Sequence, residues 1–415
     1  MRFRPTLLAA LTLLVCGAVC AARSQSAGFV GTKGRELVAP DGTTLFLKGI
    51  NLGNWLVPEG YMFKFDSAAS PRQIGEVIAE LVGPEEAEAF WKEYRACYIS
   101  RDDIRLIGRL GFNSVRIPFN FRVLTPEDQP GVWRKEGFAL LDSVIAWCRE
   151  ENIGVVLDMH CAPGGQTGDN IDDSWGYAWL FESPAAQQRT ADVWKTIAAR
   201  YARETTVIGY DLMNEPIPHF YDTKRLNPLL EPLYRKIVAA IREVDQQHLV
   251  FLGGAQWDTN FDVFGPPFDA RAVYTFHRYW SDTTESVIRD FLNFRERYGV
   301  PIWMGESGEN TDAWIGSFRR LLEKEGIGWC FWPYKKMDAR SCPVTFDRPP
   351  FWAEIVRFAN LPRATFGELR RVRPDIAHVR TALRGFLDNC RTGQCRVNEG
   401  YLRALGMKEI PAHVR

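Results

Sequence analysis

The sequence lacks an excess of charge of either sign, since Lys+Arg and Asp+Glu each number 51 in 415 residues. Such a balance gives no broad attraction for nucleic acid or an anionic membrane, so neither partner is expected. Histidine is also scarce, and neither CxxC nor HxxxH spacing occurs. His160 and Cys161 are neighbours on a predicted strand and would face opposite sides of it. We therefore expect no metal and no cofactor.

Long apolar runs are missing beyond the N-terminus, so no segment of about 18 apolar residues predicts a membrane span. At the N-terminus, Arg2 and Arg4 precede an apolar stretch at residues 7–15 and small residues at 18–22. This pattern is typical of a signal peptide, placed at residues 1–22, and predicts a secreted protein, extracellular or periplasmic. Cleavage after Cys20 is the preferred interpretation, and lipid attachment at Cys16 or Cys20 is the alternative.

Two of the nine Cys lie in this leader, which leaves seven in the mature chain. In an oxidising compartment some of them can pair. Cys390 with Cys395 could close a small loop, and Cys330 with Cys342 could brace the loop after the last predicted strand. The sequence alone does not fix the connectivity.

Eight short apolar runs, rich in β-branched and aromatic residues, alternate with longer segments of helical period. Their continuous apolar character is typical of parallel strands that are covered on both faces. Helices are predicted at residues 137–151, 185–203, 229–244, 283–297 and 312–324. The strands are predicted at residues 45–53, 113–119, 153–160, 207–216, 248–254, 272–280, 301–308 and 326–334.

This alternation predicts an α/β fold, a (β/α)8 TIM barrel over residues 23–360. The long interval between the first two strands is expected to add helices and a loop over one end of the barrel. Residues 361–415 are basic and helical in pattern. We expect them to form a C-terminal helical extension packed on the barrel.

Polar residues cluster where the predicted strands end, and in this barrel fold the chemistry lies at the carboxyl ends of the strands. Arg116 lies on the second strand, His160 ends the third, and Asn214 and Glu215 end the fourth. His277 and Tyr279 end the sixth strand, Glu306 ends the seventh, and Trp332 lies on the eighth. Taken alone, Arg116, His160 and Trp332 each have a purely structural interpretation, but their arrival at one rim favours a site.

Glu215 and Glu306 form the carboxyl pair that glycoside hydrolysis requires. One acid must hold a proton for the leaving oxygen while the other is ionised. The charge of Glu306 would raise the pKa of Glu215, and Arg116 would hold Glu306 ionised. Glu309, in the loop beyond the strand end, is set aside as a catalytic candidate.

The sequence resembles glycoside hydrolase family 5, the cellulase-like retaining β-glycosidases, over residues 34–358. The resemblance rests on the motifs "VRIPF", "LDMH", "MNEP", "HRY", "GES" and "CFWPY". It implies that Glu215 is the acid/base and Glu306 the nucleophile. The residues that match the family's other positions around the reacting sugar are Arg116, His160, Asn214, His277, Tyr279 and Trp332.

Two further segments, "LKGINLGNWLVPEG" and "HCAPGGQTGDNIDDS", resemble the exo-β-1,3-glucanase branch of that family. This resemblance implies that Glu59 contacts the terminal sugar and that one of Asp169, Asp172 or Asp173 helps to close the pocket. Asn54 and Cys161 replace glycines of the branch, and the segment after Gly168 is about two residues longer, which weakens any prediction of linkage.

We therefore expect a secreted, monomeric, retaining hydrolase of β-glucan or a related β-glucoside, acting without a cofactor. An endo-β-1,4-glucanase, a β-mannanase or a glycolipid glucosidase would use the same residues. A carbohydrate-binding protein that keeps the pocket without turnover is the alternative of another class, and a metal-dependent hydrolase lacks clustered ligands.

Overall fold

The computed structural model describes residues 28–407, so the predicted signal peptide and its two Cys lie outside the described residues. An antiparallel hairpin, β1 (Gly31–Lys33) and β2 (Glu36–Val38), precedes the main sheet. Eight parallel strands then form a closed barrel in chain order. They are β3 (Lys48–Asn51), β4 (Ser114–Asn120), β5 (Gly154–Cys161), β6 (Val207–Asp211), β7 (Leu249–Gly253), β8 (Ala272–His277), β9 (Ile302–Glu306) and β10 (Gly328–Phe331).

The ring closes where β10 pairs with β3, with Cys330 opposite Gly49. A side chain at Gly49 would lie 2.9 Å from both the Cys330 sulfur and the Ser114 hydroxyl, so only glycine fits between these strands. All seven residues of β4 are buried. Burial on both faces explains why the strands appear in the sequence as continuous apolar runs. The predicted (β/α)8 barrel is confirmed.

Helices cover the outside of the barrel, and many begin with a side-chain cap. In α4, Ser100 and Asp103 form a capping box and Gly111 ends the helix in the left-handed region, where glycine is favoured. The helices are α1 (Gly60–Phe63), α2 (Pro71–Val82), α3 (Pro84–Cys97), α4 (Arg101–Leu110), α5 (Phe121–Leu124), α6 (Lys135–Glu150), α7 (Pro184–Tyr201), α8 (Thr223–Arg242), α9 (Ala255–Asp258), α10 (Arg289–Tyr298), α11 (Asp312–Lys324), α12 (Trp352–Asn360), α13 (Phe366–Val372), α14 (Ile376–Asn389) and α15 (Glu399–Ala404).

Two elements differ from the sequence pattern. The helix predicted at residues 229–244 begins earlier, at Thr223, where Asp222 caps it, so it contains Pro228 as well as Pro232. The connection from β7 to β8 has no long helix, only the four residues of α9. Buried phenylalanines of this connection pack on the barrel instead, with Phe264 5.0 Å from Tyr274 between ring centroids.

The chain after the barrel packs on the helices inserted between β3 and β4. A small sheet of β11 (Lys335–Met337), β12 (Val344–Phe346) and β13 (Arg396–Val397) joins the barrel exit to the C-terminal segment. Helix α14 contacts α2, α3 and α12. Its Phe386 stacks on Phe63 at 5.2 Å and lies 4.9 Å from Trp352. The predicted boundary at residue 361 thus lies within one continuous hydrophobic core.

The seven cysteines among residues 28–407 are unpaired thiols, including both pairs suggested by the sequence. Cys330 is buried in the barrel wall, and the Cys342 sulfur lies 3.1 Å from the Val344 carbonyl oxygen. The Cys390 sulfur lies 3.7 Å from that of Cys97, while the Cys395 sulfur lies 3.5 Å from the Cys390 carbonyl oxygen. Separately, no helix within residues 28–407 has the length and apolar character needed to cross a membrane.

Candidate active site

The carboxyl ends of the barrel strands bring the predicted site residues together. Arg116, His160, His277 and Glu306 lie on β4, β5, β8 and β9. Strand β6 ends at Asp211, so Asn214 and Glu215 lie just beyond it rather than in it. The remaining predicted residues, each in a loop that follows a barrel strand, are Glu59, Tyr279 and Trp332.

Arg116 lies at the centre of the site and is fully buried. Its guanidinium contacts two buried aspartates below the reaction centre: Nε donates to Asp211 at 2.7 Å, and Nη2 lies 3.1 Å from Asp158. Burial raises the pKa of both aspartates to about 7, although Arg116 opposes the rise. The carboxyl groups of Asp158 and Asp211, which are partly ionised near neutral pH, therefore hold the guanidinium in position.

Glu306 receives two hydrogen bonds that favour its ionised form. Arg116 donates Nη1 to Oε1, and the Tyr279 hydroxyl donates to Oε2 at 3.0 Å. Burial raises the pKa of Glu306, while the positive charge of Arg116 opposes that rise. The same guanidinium donates to the Asn214 amide oxygen at 2.9 Å. One side chain thus orients both Glu306 and Asn214.

Glu215 lies in a different environment, because no Lys or Arg among residues 28–407 is hydrogen-bonded to its carboxyl group. Its Oε1 lies 2.8 Å from Nδ1 of His277. Burial and the neighbouring charges of Glu306 and Glu59 raise the pKa of Glu215 well above its ordinary value. Burial also lowers the pKa of His277 well below its ordinary value, so the imidazole is neutral. Of the two catalytic candidates, Glu215 is the better holder of a proton.

The carboxyl oxygens of Glu215 and Glu306 lie within 4.8 Å of one another, with a nitrogen of His277 inside the same distance. Asp158, His160 and Glu306 form a second such group. Both groups have the donor types that a cation binds. Glu306 belongs to both groups, and its carboxylate is already paired with the guanidinium of Arg116.

His160 and Trp332 form one wall of the site. His160 Nδ1 lies 2.8 Å from Asp158 Oδ2, and burial lowers the pKa of His160 to about 3. Its ring is parallel to the Trp332 indole at a centroid distance of 5.4 Å. The indole N–H donates to the Tyr61 hydroxyl at 2.8 Å, and that hydroxyl donates to Glu309 at 2.9 Å. Glu309, set aside as a catalytic candidate, thus supports the Trp332 wall.

Glu59 is buried near the two catalytic candidates, and its Oε1 has no hydrogen-bond partner within the described residues. Burial and the charges of Glu306 and Glu309 raise its pKa well above the ordinary value. An unpartnered buried carboxyl oxygen is costly. A hydroxyl of a bound ligand would supply the missing partner.

The three aspartates of the loop after β5 have different roles. Asp172 accepts hydrogen bonds from the backbone of Thr167 and Gly168 and holds the loop in shape. Asp173 accepts from Asn120 at 3.0 Å and from Arg122. The side chains of Asp172 and Asp173 are therefore both engaged in hydrogen bonds that hold the loop. Asp169 is the exposed member of the set and the remaining candidate for a ligand contact.

Several residues of the site did not appear among the sequence predictions. Asp158 lies inside the motif "LDMH", and Asp211 lies two residues before "MNEP". Both side chains face Arg116, and their position between apolar neighbours was the available signal. Tyr61 lies two residues after Glu59 but belongs to no motif of its own. The other residues missed are Asn51, which accepts from Arg116 at 3.1 Å, and Asp258, which accepts from the Glu215 backbone N–H at 3.2 Å.

Comparison with known families identifies the group to which this site belongs. A family model described as Cellulase (glycosyl hydrolase family 5) matches residues 80–338. The chain belongs to glycosyl hydrolase family 5. It is therefore a glycosyl hydrolase, and the predicted enzyme class is confirmed.

Similar family members carry different names. The chain is 28% identical to a "Beta-xylosidase" of Phanerodontia chrysosporium over 74% of this chain and 71% of the relative. It is 26% identical to "Endoglucanase C" of Acetivibrio thermocellus over 75% of this chain and 97% of the relative. A "Probable glucan 1,3-beta-glucosidase A" of Aspergillus clavatus is 31% identical, over 50% and 49% of the two chains.

Solved structures agree on the fold. An endogalactoceramidase superposes with a TM-score of 0.60 at 17% identity and covers 91% of this chain and 84% of its own. A rutinosidase from Aspergillus niger superposes with a TM-score of 0.57 at 18% identity, over 71% and 90% of the two chains. At these identities the similarity concerns the fold alone.

Proposed function

We propose that this glycosyl hydrolase cleaves β-glucosidic bonds with retention of anomeric configuration, with Glu306 as nucleophile and Glu215 as acid/base. The observation that carries the proposal is the approach of the two carboxyl oxygens to within 4.8 Å. Retaining enzymes hold these groups about 5–5.5 Å apart, whereas inverting enzymes leave room for a water at about 6.5–9.5 Å.

In the first step, a Glu306 oxygen attacks the anomeric carbon and the bond to the leaving oxygen breaks. Glu215 gives its proton to that oxygen, so the leaving group departs as an alcohol and Glu215 becomes a carboxylate. Arg116 and Tyr279 orient Glu306 for attack. We assign to Asn214, itself held by Arg116, the hydrogen bond to the sugar hydroxyl beside the reacting carbon.

In the second step, water attacks the glycosyl ester of Glu306. Glu215 takes a proton from the water, and the bond between the sugar and Glu306 breaks to regenerate both side chains. Once Glu306 is esterified its negative charge is gone, so the pKa of Glu215 falls between the two steps. That fall is what allows one carboxyl to serve first as acid and then as base.

The proposed substrate is a β-glucan or related β-glucoside cleaved from its end, with β-1,3 linkage as the first choice. Support comes from Glu59, a buried carboxyl with an oxygen that no group in residues 28–407 hydrogen-bonds and that suits a terminal sugar hydroxyl. The Trp332 wall adds an aromatic boundary for the ring. The name of the Aspergillus relative, a probable glucan 1,3-beta-glucosidase, agrees with this choice over half of the chain.

A second candidate is endo-β-1,4-glucanase activity, which the endoglucanase relative favours because its alignment spans 97% of that protein. Product analysis separates the two candidates. An end-acting enzyme releases only mono- or disaccharides from laminarin, whereas an endo-enzyme lowers the viscosity of carboxymethylcellulose early in the reaction. A panel that includes mannan and β-xylosides covers the remaining alternatives.

The nucleophile assignment predicts the outcome of azide rescue. Glu306→Gly removes the attacking oxygen and should abolish hydrolysis of an activated aryl β-glucoside, because no ester can form. Azide can enter the space left behind and should yield a glycosyl azide of inverted configuration, detectable by NMR. Glu309→Gly is the matched control and should keep turnover without azide. Activity retained in Glu306→Gly would contradict the assignment.

The acid/base assignment has its own test. Glu215→Ala should lower kcat/KM strongly for phenyl β-glucoside but weakly for the 2,4-dinitrophenyl compound, whose leaving group needs no proton. A protein that binds sugar without turnover would hydrolyse neither compound before substitution.

Export and a monomeric state also belong to the proposal. The N-terminal residue of protein recovered outside expressing cells should lie near residue 23, and light scattering should give the mass of one chain. An intact Met1 on the exported protein would contradict cleavage of the signal peptide. The mass of a dimer would contradict the monomeric state.

A further inference from the structure

Asp258 is a buried acid that the proposed chemistry does not use. It lies in the short connection after β7, where Gln256, Trp257 and Asp258 all adopt the left-handed region, with φ of 51°, 64° and 58°. Such a run of non-glycine residues is strained and persists only where surrounding contacts fix it. Here the Gln256 backbone N–H and side-chain amide both donate to the Ile217 carbonyl at 3.0 Å.

The contacts of this turn direct Asp258 at the acid/base. Its Oδ2 accepts the backbone N–H of Glu215 at 3.2 Å and lies 3.4 Å from Nε2 of His277. The opposite nitrogen of the same imidazole, Nδ1, is 2.8 Å from Glu215 Oε1. His277 therefore stands between Asp258 and Glu215. Gly253 makes room for this arrangement, since a side chain there would lie 2.1 Å from Asp258 Oδ1.

His277 and Asp258 each have one polar atom without a hydrogen-bond partner among the described residues. These atoms are Nε2 of His277 and Oδ1 of Asp258. A neutral imidazole carries one proton, and its position is set by the partner of the other nitrogen. Burial, Asp211 and Glu215 together raise the pKa of Asp258 well above its ordinary value, while Arg116 opposes the rise. A protonated Asp258 is a donor, and Nε2 can then only accept.

We propose that Asp258, as a neutral carboxyl, donates to Nε2 of His277 and so keeps the imidazole proton on Nδ1, directed at Oε1 of Glu215. Oε1 then accepts a hydrogen bond, and the acidic proton of Glu215 resides on Oε2, the oxygen left for the leaving group. With the opposite tautomer, Nδ1 would accept the Glu215 proton and draw it away from the substrate. Asp258 is thus a positioning residue, and this role rests on the acid/base role proposed for Glu215.

Nitrogen-15 NMR of histidine-labelled protein measures the tautomer directly, with His277→Gln used to assign the signal. Wild-type His277 should show a protonated Nδ1 and a bare Nε2. Asp258→Val should lose this signature, and Asp258→Asn should restore it because the amide N–H can donate. An Nε2-protonated His277 in the wild type, or a signature unchanged by Asp258→Val, would overturn the proposal without reference to activity.

Kinetics on paired substrates separates positioning from general damage. Asp258→Val should lower kcat/KM about tenfold or more for phenyl β-glucoside, part of the roughly 10²–10⁴-fold that general acid catalysis supplies. The loss should be under about threefold for the 2,4-dinitrophenyl compound, and Asp258→Asn should recover most of it. Equal losses on both substrates would indicate a merely structural role and sink the inference.

A neighbouring side chain provides the matched control. Thr275 is buried on β8, and its hydroxyl also lacks a partner within the described residues. A side chain at Gly305 would lie 2.4 Å from this hydroxyl and 3.0 Å from Nε2 of His277, so both atoms border the same space. Thr275→Val should leave the tautomer unchanged, and a change there would assign the donor to Thr275 instead. If Glu215→Ala itself shows no dependence on the leaving group, the proposed function fails, while the NMR result still decides the role of Asp258.

Discussion

At the scale of single residues, the two catalytic candidates differ in what they are bonded to. Glu306 accepts from Arg116 and Tyr279, both of which favour a carboxylate. Glu215 is hydrogen-bonded to a neutral imidazole and lies near the negative charges of Glu306 and Glu59. The difference in partners, rather than any difference between the two glutamates, assigns the proton to Glu215.

These environments predict a bell-shaped dependence of kcat/KM on pH. Activity should fall at low pH as Glu306 is protonated, and because its pKa is raised this limb lies above that of an ordinary glutamate. Activity should fall at high pH as Glu215 loses its proton, at a pH well above the ordinary value. The free-enzyme profile of kcat/KM measures both limbs. A profile that stays flat across the pKa of Glu215 for a poor leaving group would contradict this assignment.

Tyr279→Phe should move the acidic limb toward higher pH. The variant loses a hydrogen bond to a charged group, which contributes about 1.5–3 kcal/mol, and about 1.4 kcal/mol corresponds to one pKa unit. We expect the acidic limb to shift by about one pH unit and kcat/KM to fall about tenfold or more at the optimum. Tyr298→Phe, on outer helix α10, is the control and should leave the profile in place.

The residues around the reaction centre could be predicted where they lie on a barrel strand or just after one, but not where they act through another residue. Arg116, Glu215 and Glu306 follow from the barrel pattern, because parallel strands deliver their ends to one rim. Asp258 does not, since its approach to His277 depends on a strained turn whose conformation no local motif in the sequence specifies.

At the scale of elements, glycines mark the places where strands and helices approach most closely. Gly137 lies in the first turn of α6, where a side chain would come within 2.0 Å of the Val123 carbonyl oxygen. Gly75, within α2, faces open space. The two helical glycines therefore have opposite steric environments: a side chain would clash at Gly137 but not at Gly75.

Substitution by alanine should separate these two positions. Gly137→Ala forces α5 and α6 apart and should lower the free energy of unfolding by about 1–3 kcal/mol, as overpacking does. Gly75→Ala should raise it by about 0.5–1 kcal/mol, because alanine favours the helix. Denaturant midpoints measure both changes. Destabilisation by both variants alike would contradict the packing described for α6.

The sequence predicted the positions of the strands more accurately than the structure of the connections between them. Six of the eight strands lie within the predicted runs, and β4 and β5 each extend one residue beyond theirs. Strand β6 stops at Asp211, three residues before Asn214 of the polar motif. The β7–β8 connection was expected to resemble the others. Aromatic packing by Phe261 and Phe264 replaces the outer helix there, and such packing depends on contacts distant in sequence.

At the scale of the whole molecule, the C-terminal helices are joined to the barrel through polar as well as apolar contacts. Lys335, just after the barrel, is fully buried and pairs with Asp103 at 2.6 Å. Its ammonium also donates to the carbonyl oxygens of Tyr98 at 2.8 Å and Cys390 at 2.9 Å. The sequence indicated a helical extension but not these contacts, since a single lysine after a strand carries no signal of burial.

Oxidation should form a disulfide between Cys97 and Cys390, whose sulfurs lie 3.7 Å apart. Oxidised glutathione would take the two electrons and two protons that the thiols release. Mapping of unreduced peptides should find this link, and the bond should stabilise the protein by about 2–4 kcal/mol. Cys148, buried in α6, is the internal control and should remain a thiol. A link between Cys390 and Cys395 would instead restore the pairing suggested by the sequence.

The distribution of the site over the strands has a consequence for biosynthesis. Contacts around Arg116 draw on Asn51 near one end of the barrel sequence and on Glu306 near the other. No contiguous fragment shorter than this interval can hold the reaction centre, so a nascent chain stays inert until its last strands leave the ribosome. Separately expressed halves would regain turnover only by reassociating into a complete ring.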